Sequence, residues 1–564
     1  MLLTTSVTGK PQRLDYLTDG IRQSHAELPY DWMVYKCQFP RAPDQIYPRT
    51  PVMKLWETVV CALLSTFIAL IFGGLYRIGV FRRKRPKEPP LDKGLIPWLG
   101  HGLSFGKKPA LLLERMKKKH GDIFTMLVAG RYIHVLMDPH MYGFIFKKSR
   151  SKLDFGVFAA NVVSNVFNFH PTTTHHKIGE DGSKKYLRGK NLLALNQALM
   201  QNLKEILLES AEEEKWRQEG LWHFSYKSIF QAAFLCLFGA MPELEDNSND
   251  KERRCKPYEK LFKDFQQFDE FFPQMIFSSM DSKTKKEIQR LKNYFWDLLS
   301  VEKIDKREDV SIWLADQDQQ LADCGMNEKM RTQVQLLFLW ASQANTGPVT
   351  FWLLAYLLKH PEAMKAIRAE IDQVLKETGQ EDNPVDFSLQ AFKTPLLDSA
   401  VEEVLRLKAG SFVFRSVMED FNLQMDDGKE YALRKGDHLL LFPFMGLHMD
   451  PEIYPEPKTF KYDRFMSPEG KKKEFFKNGK KLRTCVMPFG GGSSMCPGRF
   501  FAVSEMKILT ILMLTFFDME LVNPEEELPS SIEHRIVIAT AHPTRDIDFK
   551  FRRRLQSSKP GVQT

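Results

Sequence analysis

The sequence predicts a mostly α-helical body with a small β region, preceded by one N-terminal transmembrane helix. Three observations lead there. Residues 58 to 76 form a run of 19 residues without a charge, long enough to cross a hydrocarbon core as a helix. From about residue 109 apolar residues recur mostly at helical spacing, most plainly over 328 to 358. Period-two alternation is confined to residues 124 to 137 and to the tail, 520 to 554.

Composition narrows the function classes. A chain of 564 residues with 43% hydrophobic content buries a large core, and length alone would suggest several domains. The net charge of +9 is modest and its basic residues are mostly dispersed, which argues against nucleic acid as a partner. The seven cysteines (37, 61, 236, 255, 324, 485 and 496) are odd in number and lack C-x-x-C spacing. They argue against a disulfide scaffold or a zinc site and for a reducing compartment.

Residues 1 to 52 are polar, proline-bearing and without periodicity, so they read as a poorly ordered extension. Met53 stands just before the apolar run and would serve as a start in a shorter form. The anchor is expected over residues 56 to 81. Arg82-Arg83-Lys84-Arg85 follows, which by the positive-inside rule places the body, 86 to 555, on the cytoplasmic side. A cleaved signal would carry its charge before the run and small residues after it. Neither is present. Prolines 86, 89, 90 and 97 make the next stretch stiff, and residues 556 to 564 read as a tail.

Within the body, 110 to 119 reads as a short amphipathic helix and 124 to 137 as a hairpin turning at Gly130-Arg131. Residues 154 to 183 mix Gly, Thr, Asn and His, which predicts a loop with a short helix. Tyr258, Phe262, Phe265, Phe268 and Phe272 recur at helical spacing. That stripe fits either a core face or the entry of an apolar substrate. The helix expected over 328 to 358 contains Trp340-Ala-Ser-Gln-Ala344-Asn345-Thr346-Gly347-Pro348, and Gly-Pro there opens the hydrogen-bond ladder. Glu403 and Arg406 share one face of a helix over 396 to 407. Residues 471 to 483 hold seven basic residues and one acid, a solvated loop or a docking face.

The chemistry concentrates in Phe489-x-x-Gly492-x-x-x-Cys496-x-Gly498, followed by an apolar segment over 500 to 517. Glycines permit tight turns and close approach of a flat ligand. A cysteine where a helix begins gains from unpaired amides and the positive dipole end, which favours thiolate and metal ligation.

This loop resembles the haem–thiolate loop of the cytochromes P-450, and the resemblance covers about residues 85 to 555. It implies that family's fold: one large, mostly helical domain with a small β region. It implies Cys496 as axial ligand of haem b iron, donating electron density to it, with Phe489, Gly492, Ser494 and Gly498 around the cofactor. Glu403, Arg406 and Arg464 match the family's carboxylate–guanidinium triad in order. Asn345 and Thr346 match the catalytic positions of the distal helix, with Thr346 as a relay hydroxyl and Asn345 as a neutral positioning group. Trp340, Ala344 and Thr540 are candidates for the substrate pocket.

Trp340 to Pro348, His448-Met-Asp-Pro-Glu and Tyr462-Asp-Arg464-Phe are similar to a branch holding sterol 12α-hydroxylases, cholesterol 7α-hydroxylases and prostacyclin synthases. Pro90-Leu-Asp-Lys-Gly and the stretch from Cys496 to Glu505 look most like the 12α-hydroxylases of bile-acid synthesis. The resemblance therefore implies hydroxylation of a sterol by O₂, with electrons from NADPH–cytochrome P-450 reductase docking at Lys472, Lys480 and Lys481. It implies an endoplasmic reticulum membrane as the setting. A 7α-hydroxylase, an endoperoxide isomerase that needs no reductase, and a non-enzymatic haem or sterol carrier are the rivals.

Three departures from the wider family stand out. Asn345 replaces the usual acid before the threonine. Ser494 replaces the usual Arg or His two residues before the cysteine, and Arg415 is the proposed substitute partner for a haem propionate. The tail turn, 536 to 543, lacks the glycine expected of 12α-hydroxylases.

Overall fold

The computed structural model describes residues 51–77, 82–148, 150–208, 215–241, 251–276, 280–380 and 393–554. The chain divides into two compact units, Met1–Ile71 and Phe72–Thr564. The extension up to residue 50 and the tail from 555 lie outside the described residues. Pro51–Arg77 is one helix that carries the uncharged run. Its side chains are described at 56 and 58–74, all exposed. Among the described residues no helix is long and apolar enough to cross a membrane.

The basic run after this helix is partly spent on the body. Arg82 donates to both carboxylate oxygens of Asp437 at 2.6 Å and reaches Glu88 at 3.3 Å. Its guanidinium lies 4.5 Å over the Tyr132 ring. His134 Nε2 stands 3.0 Å from the same Asp437, and Arg85 pairs with Asp420 at 3.2 Å.

The hairpin forms from Ile123–Val128 and Arg131–Leu136, with Val128 opposite Arg131. Its turn is Ala129-Gly130, both at positive φ (46° and 78°), the mirror-image turn that matches strand twist. Arg131 closes the ladder, so the turn lies one residue earlier than expected. Arg131–Leu136 pairs in parallel with His438–Leu441, which pairs antiparallel with Val413–Val417. Arg415 thus sits on an interior strand of a six-stranded sheet.

Residues 154 to 183 hold two helices, Gly156–Phe167 and Thr173–Tyr186, where a loop with one short helix was expected. Low-propensity residues are overridden by local caps and packing. Asn168 ends the first helix in the left-handed region, and Thr172 and His175 form a reciprocal capping box for the second. The aromatic stripe resolves as core: Tyr258, Phe262, Phe265, Phe268 and Phe272 are all buried.

The long helix expected over 328 to 358 is two, Glu328–Gln343 and Thr346–Lys359. Pro348 explains the break. It has no amide for the carbonyl of Ala344, and its ring crowds that same carbonyl. Helices Gly189–Leu208, Leu221–Phe238, Thr346–Lys359 and Arg499–Phe516 pack on one another around buried Trp352, Phe230 and Phe234. In the tail, Phe517–Leu521 pairs antiparallel with Asp548–Arg553. The stretch between them is a broad loop with a short helix, Glu533–Ile536, bridged to the body through Ala409 and Thr540.

Candidate active site

The cysteine loop is wound by positive-φ glycines and closed on itself. Gly490 and Gly492 both stand at φ 69°, and the Cys496 amide donates to the Phe489 carbonyl at 2.9 Å. A Cβ on Gly491 would come within 2.3 Å of the Phe146 ring, so only glycine fits beneath that side chain. Gly498 caps helix Arg499–Phe516, and Cys496 itself is exposed.

Although the residue as a whole is exposed, desolvation by the surrounding loop raises the Cys496 thiol above its ordinary range; the amides of Gly498 and Arg499 and the Arg499 guanidinium pull it back only in part. Helix-end donors alone therefore do not make it a thiolate. A cation bound at Sγ would supply the rest, because a coordinated thiol gives up its proton.

Arg415 touches the loop directly. Its guanidinium donates to the Gly491 carbonyl at 3.1 Å and the Phe414 carbonyl at 2.7 Å, between the rings of Phe146 and Phe155. Burial lowers its pKa to about 10, with Asp154 opposing from a distance. No carboxylate among the described residues lies within ion-pair distance of it. A buried cation without a counter-ion is costly. An anionic ligand edge at the loop is what it fits. Ser494 lies in the short turn Gly492–Ser494 and is half-buried.

Glu403 grips two guanidinium groups. Its oxygens accept from Arg406 at 2.7 and 2.8 Å and from Arg464 at 2.8 Å, all buried. Arg406 continues to the carbonyls of His448 (2.6 Å) and Pro457 (2.7 Å). His448, neutral because burial and Arg406 hold its pKa down to about 3, accepts from the Met487 amide at 2.9 Å. The triad is thereby connected to the start of the cysteine loop through His448, whose carbonyl takes Arg406 and whose imidazole takes Met487.

At the helix break, Ala344 is fully buried and Asn345 and Trp340 are half-buried. Asn345 accepts from the Thr540 amide through Oδ1 at 3.2 Å, and its carbonyl accepts from the Thr540 hydroxyl at 3.3 Å. Two of the sequence candidates are thus brought into contact. Thr346 is buried, and its side chain is the polar neighbour of Glu505. Burial pushes the Glu505 carboxyl up to about 8, with Thr346 opposing, and Oε1 has no hydrogen-bond partner among the described residues.

Sequence reasoning missed Glu505, Phe146 and the linking role of His448. Only the first had a signal, as the one acid within an apolar helical run. The three lysines proposed for docking are already paired at the surface, Lys472 with Glu402 and Lys480 with Asp426 at 2.6 Å, and Lys481 with Glu474.

A cysteine offered by a glycine loop, backed by a wired carboxylate–guanidinium triad and faced with an unpaired buried arginine, is the arrangement of a haem–thiolate protein. The chain belongs to the cytochrome P450 family, whose model matches residues 89–549. It is similar to the 7-alpha-hydroxycholest-4-en-3-one 12-alpha-hydroxylase of Homo sapiens, 43% identical over 507 residues, 89% of this chain and 99% of that protein. It is 42% identical to the 5-beta-cholestane-3-alpha,7-alpha-diol 12-alpha-hydroxylase of Sus scrofa, over 89% of this chain and 99% of that one. Prostacyclin synthase of Rattus norvegicus is 39% identical, over 88% and 99%. The protein is a P450 monooxygenase, sterol hydroxylase-like, and the family implies a haem–thiolate cofactor, a substrate and a reductase.

Proposed function

We propose that the protein is a sterol 12α-hydroxylase of bile-acid synthesis. The observation that carries this is its identity of 42–43% to two 12α-hydroxylases along 99% of their length. Haem b held by Cys496 would supply the activation of O₂ and the insertion of one oxygen atom into a sterol C–H bond.

The chain's own residues hold and orient. Arg415 would neutralise a haem propionate at the Gly491 carbonyl, in place of the residue that Ser494 replaces. Phe489, Gly492 and Gly498 shape the loop around Cys496. Asn345, pinned by Thr540, presents its amide at the break to water or to a polar group of the substrate. The Thr346 hydroxyl, adjoining Glu505, passes protons between that carboxyl and the break. Trp340, Ala344 and Thr540 border the sterol. The uncharged segment 58 to 76, whose described side chains are all exposed, would attach the enzyme to the endoplasmic reticulum membrane with the body on the cytoplasmic side. Electrons come from NADPH–cytochrome P-450 reductase at the face of Lys472, Lys480 and Lys481.

A panel of sterols incubated with purified enzyme, with and without NADPH and reductase, tests the reading. A 12α-hydroxylated product that requires both supports it; a 7α product would move the assignment to the other hydroxylase. The 39% identity to prostacyclin synthase favours a second reading, an isomerase. Turnover independent of reductase and O₂ would establish that instead.

A further inference from the structure

The geometry points to the buried Asp269–Arg535 ion pair as the positioning device that fixes the plane of the Trp340 indole, and through it the pose of the substrate. The second half of this rests on the sterol reading above.

Trp340 Nε1 donates to Asp269 Oδ1 at 2.8 Å. Arg535 Nη2 donates to Asp269 Oδ2 at 2.6 Å and Nη1 to the Asp269 carbonyl at 3.0 Å. His542 Nε2 stands 3.0 Å from the same Nη2. Asp269 is 1% exposed and Arg535 3%, while the indole they hold is half-buried, one turn before the helix break. Indole has a single polar hydrogen. Turning the ring would unpair it and leave Oδ1 short of a donor in the interior, so the carboxylate dictates the ring's orientation. Phe272 fixes the other degree of freedom, stacked on the indole at 3.8 Å and 13°.

Ion pairs this deep are poor sources of stability, since apolar replacements are often neutral or better. What this one supplies is direction. Arg535 and His542 also belong to the loop whose Thr540 holds Asn345 and whose Ala541 carbonyl accepts from Trp352 Nε1 at 2.8 Å. One loop therefore grips the paired helices before, at and after their break. Its clamp on Trp340 is the part that involves a half-buried ring.

The test uses holoenzyme in which all nine tryptophans are 5-fluorotryptophan. The Trp340 fluorine signal is assigned by its loss in Trp340→Phe. Asp269→Asn, which keeps size but removes charge, and Arg535→Met should each broaden or split that signal. Each should also weaken the sterol-induced spectral shift about tenfold, the scale of one charge-assisted hydrogen bond. In a Trp340→Phe background the same changes should move sterol affinity less than about twofold, because nothing is left to orient. Equal losses in both backgrounds, or an unchanged Trp340 signal, would overturn the proposal. A wild-type holoenzyme that binds no sterol overturns the sterol reading instead, and the fluorine signal then decides the clamp by itself.

Discussion

Thr540 holds Asn345 twice, its amide donating to Oδ1 at 3.2 Å and its hydroxyl to the main-chain carbonyl at 3.3 Å. The Asn345 side chain is thereby committed by its oxygen, and its Nδ2 is the group left to face a ligand. Asn345→Asp keeps the acceptor and loses the donor. It should fold normally and bind sterol about fivefold more weakly. Thr540→Val removes one hydrogen bond and should cost about 1 kcal/mol in unfolding experiments. An Asn345→Asp enzyme with unaltered sterol affinity would show that Nδ2 touches no substrate.

Arg415→Met removes a buried cation that has no carboxylate partner among the described residues. Haem retention, read from the Soret-to-protein absorbance ratio, should fall. The haem-free protein should melt no lower than wild type, because the change also removes an unpaired buried charge. Loss of haem-free stability would make Arg415 a structural residue of the loop.

Glu505 introduces a pH dependence. Its pKa is raised from 4.5 to about 8, so the folded state keeps a proton that the unfolded chain has lost. The stability it contributes is complete below about 4.5 and disappears as the pH rises through 8. Glu505→Gln should flatten the melting profile across that window and stabilise the protein at pH 8. Parallel slopes in variant and wild type would sink the assignment.

Charge reversal at Lys472, Lys480 and Lys481 should slow reduction by the reductase at low salt and less so at high salt, where screening acts within ~10 Å. Each lysine already has a surface partner, which weakens the field it projects. The effect should therefore be on the order of tenfold at most. Unchanged stopped-flow rates at low salt would leave residues 471 to 483 an ordinary solvated surface.

Cys496→Ser should abolish the thiolate signature of the reduced carbon monoxide complex, and Cys485→Ser should keep it. Cys485 is half-buried with its thiol raised by burial, and it lies outside the turn that Phe489 closes.

Much of this was legible in the chain because it is written in local chemistry. The glycines around Cys496, the Gly-Pro break and the i, i+3 spacing of Glu403 and Arg406 each impose a conformation on a few residues. Tertiary partners were not legible. Nothing near Arg415 in sequence names Gly491 as its acceptor, and nothing near Trp340 names Asp269. The helices at 156 to 167 and 173 to 186 were hidden for a related reason: their residues have weak preference and are fixed by caps and neighbours. Glu505 could have been suspected, since a lone carboxylate in an apolar helix demands a partner or a proton.

Helices 328–343 and 346–359 depend for their final geometry on a stretch made long after them. Thr540 lies 195 residues beyond Asn345, and Arg535 lies 266 beyond Asp269. While the ribosome is still translating that stretch, helices 328–343 and 346–359 have no loop to brace them. Contacts of such long sequence separation form late in folding. Cys496 emerges before residues 535 to 542, so the cysteine loop precedes the brace of these helices in the order of synthesis. Termination between Cys496 and Arg535 would leave a chain that carries the cysteine and lacks the brace on helices 328–343 and 346–359.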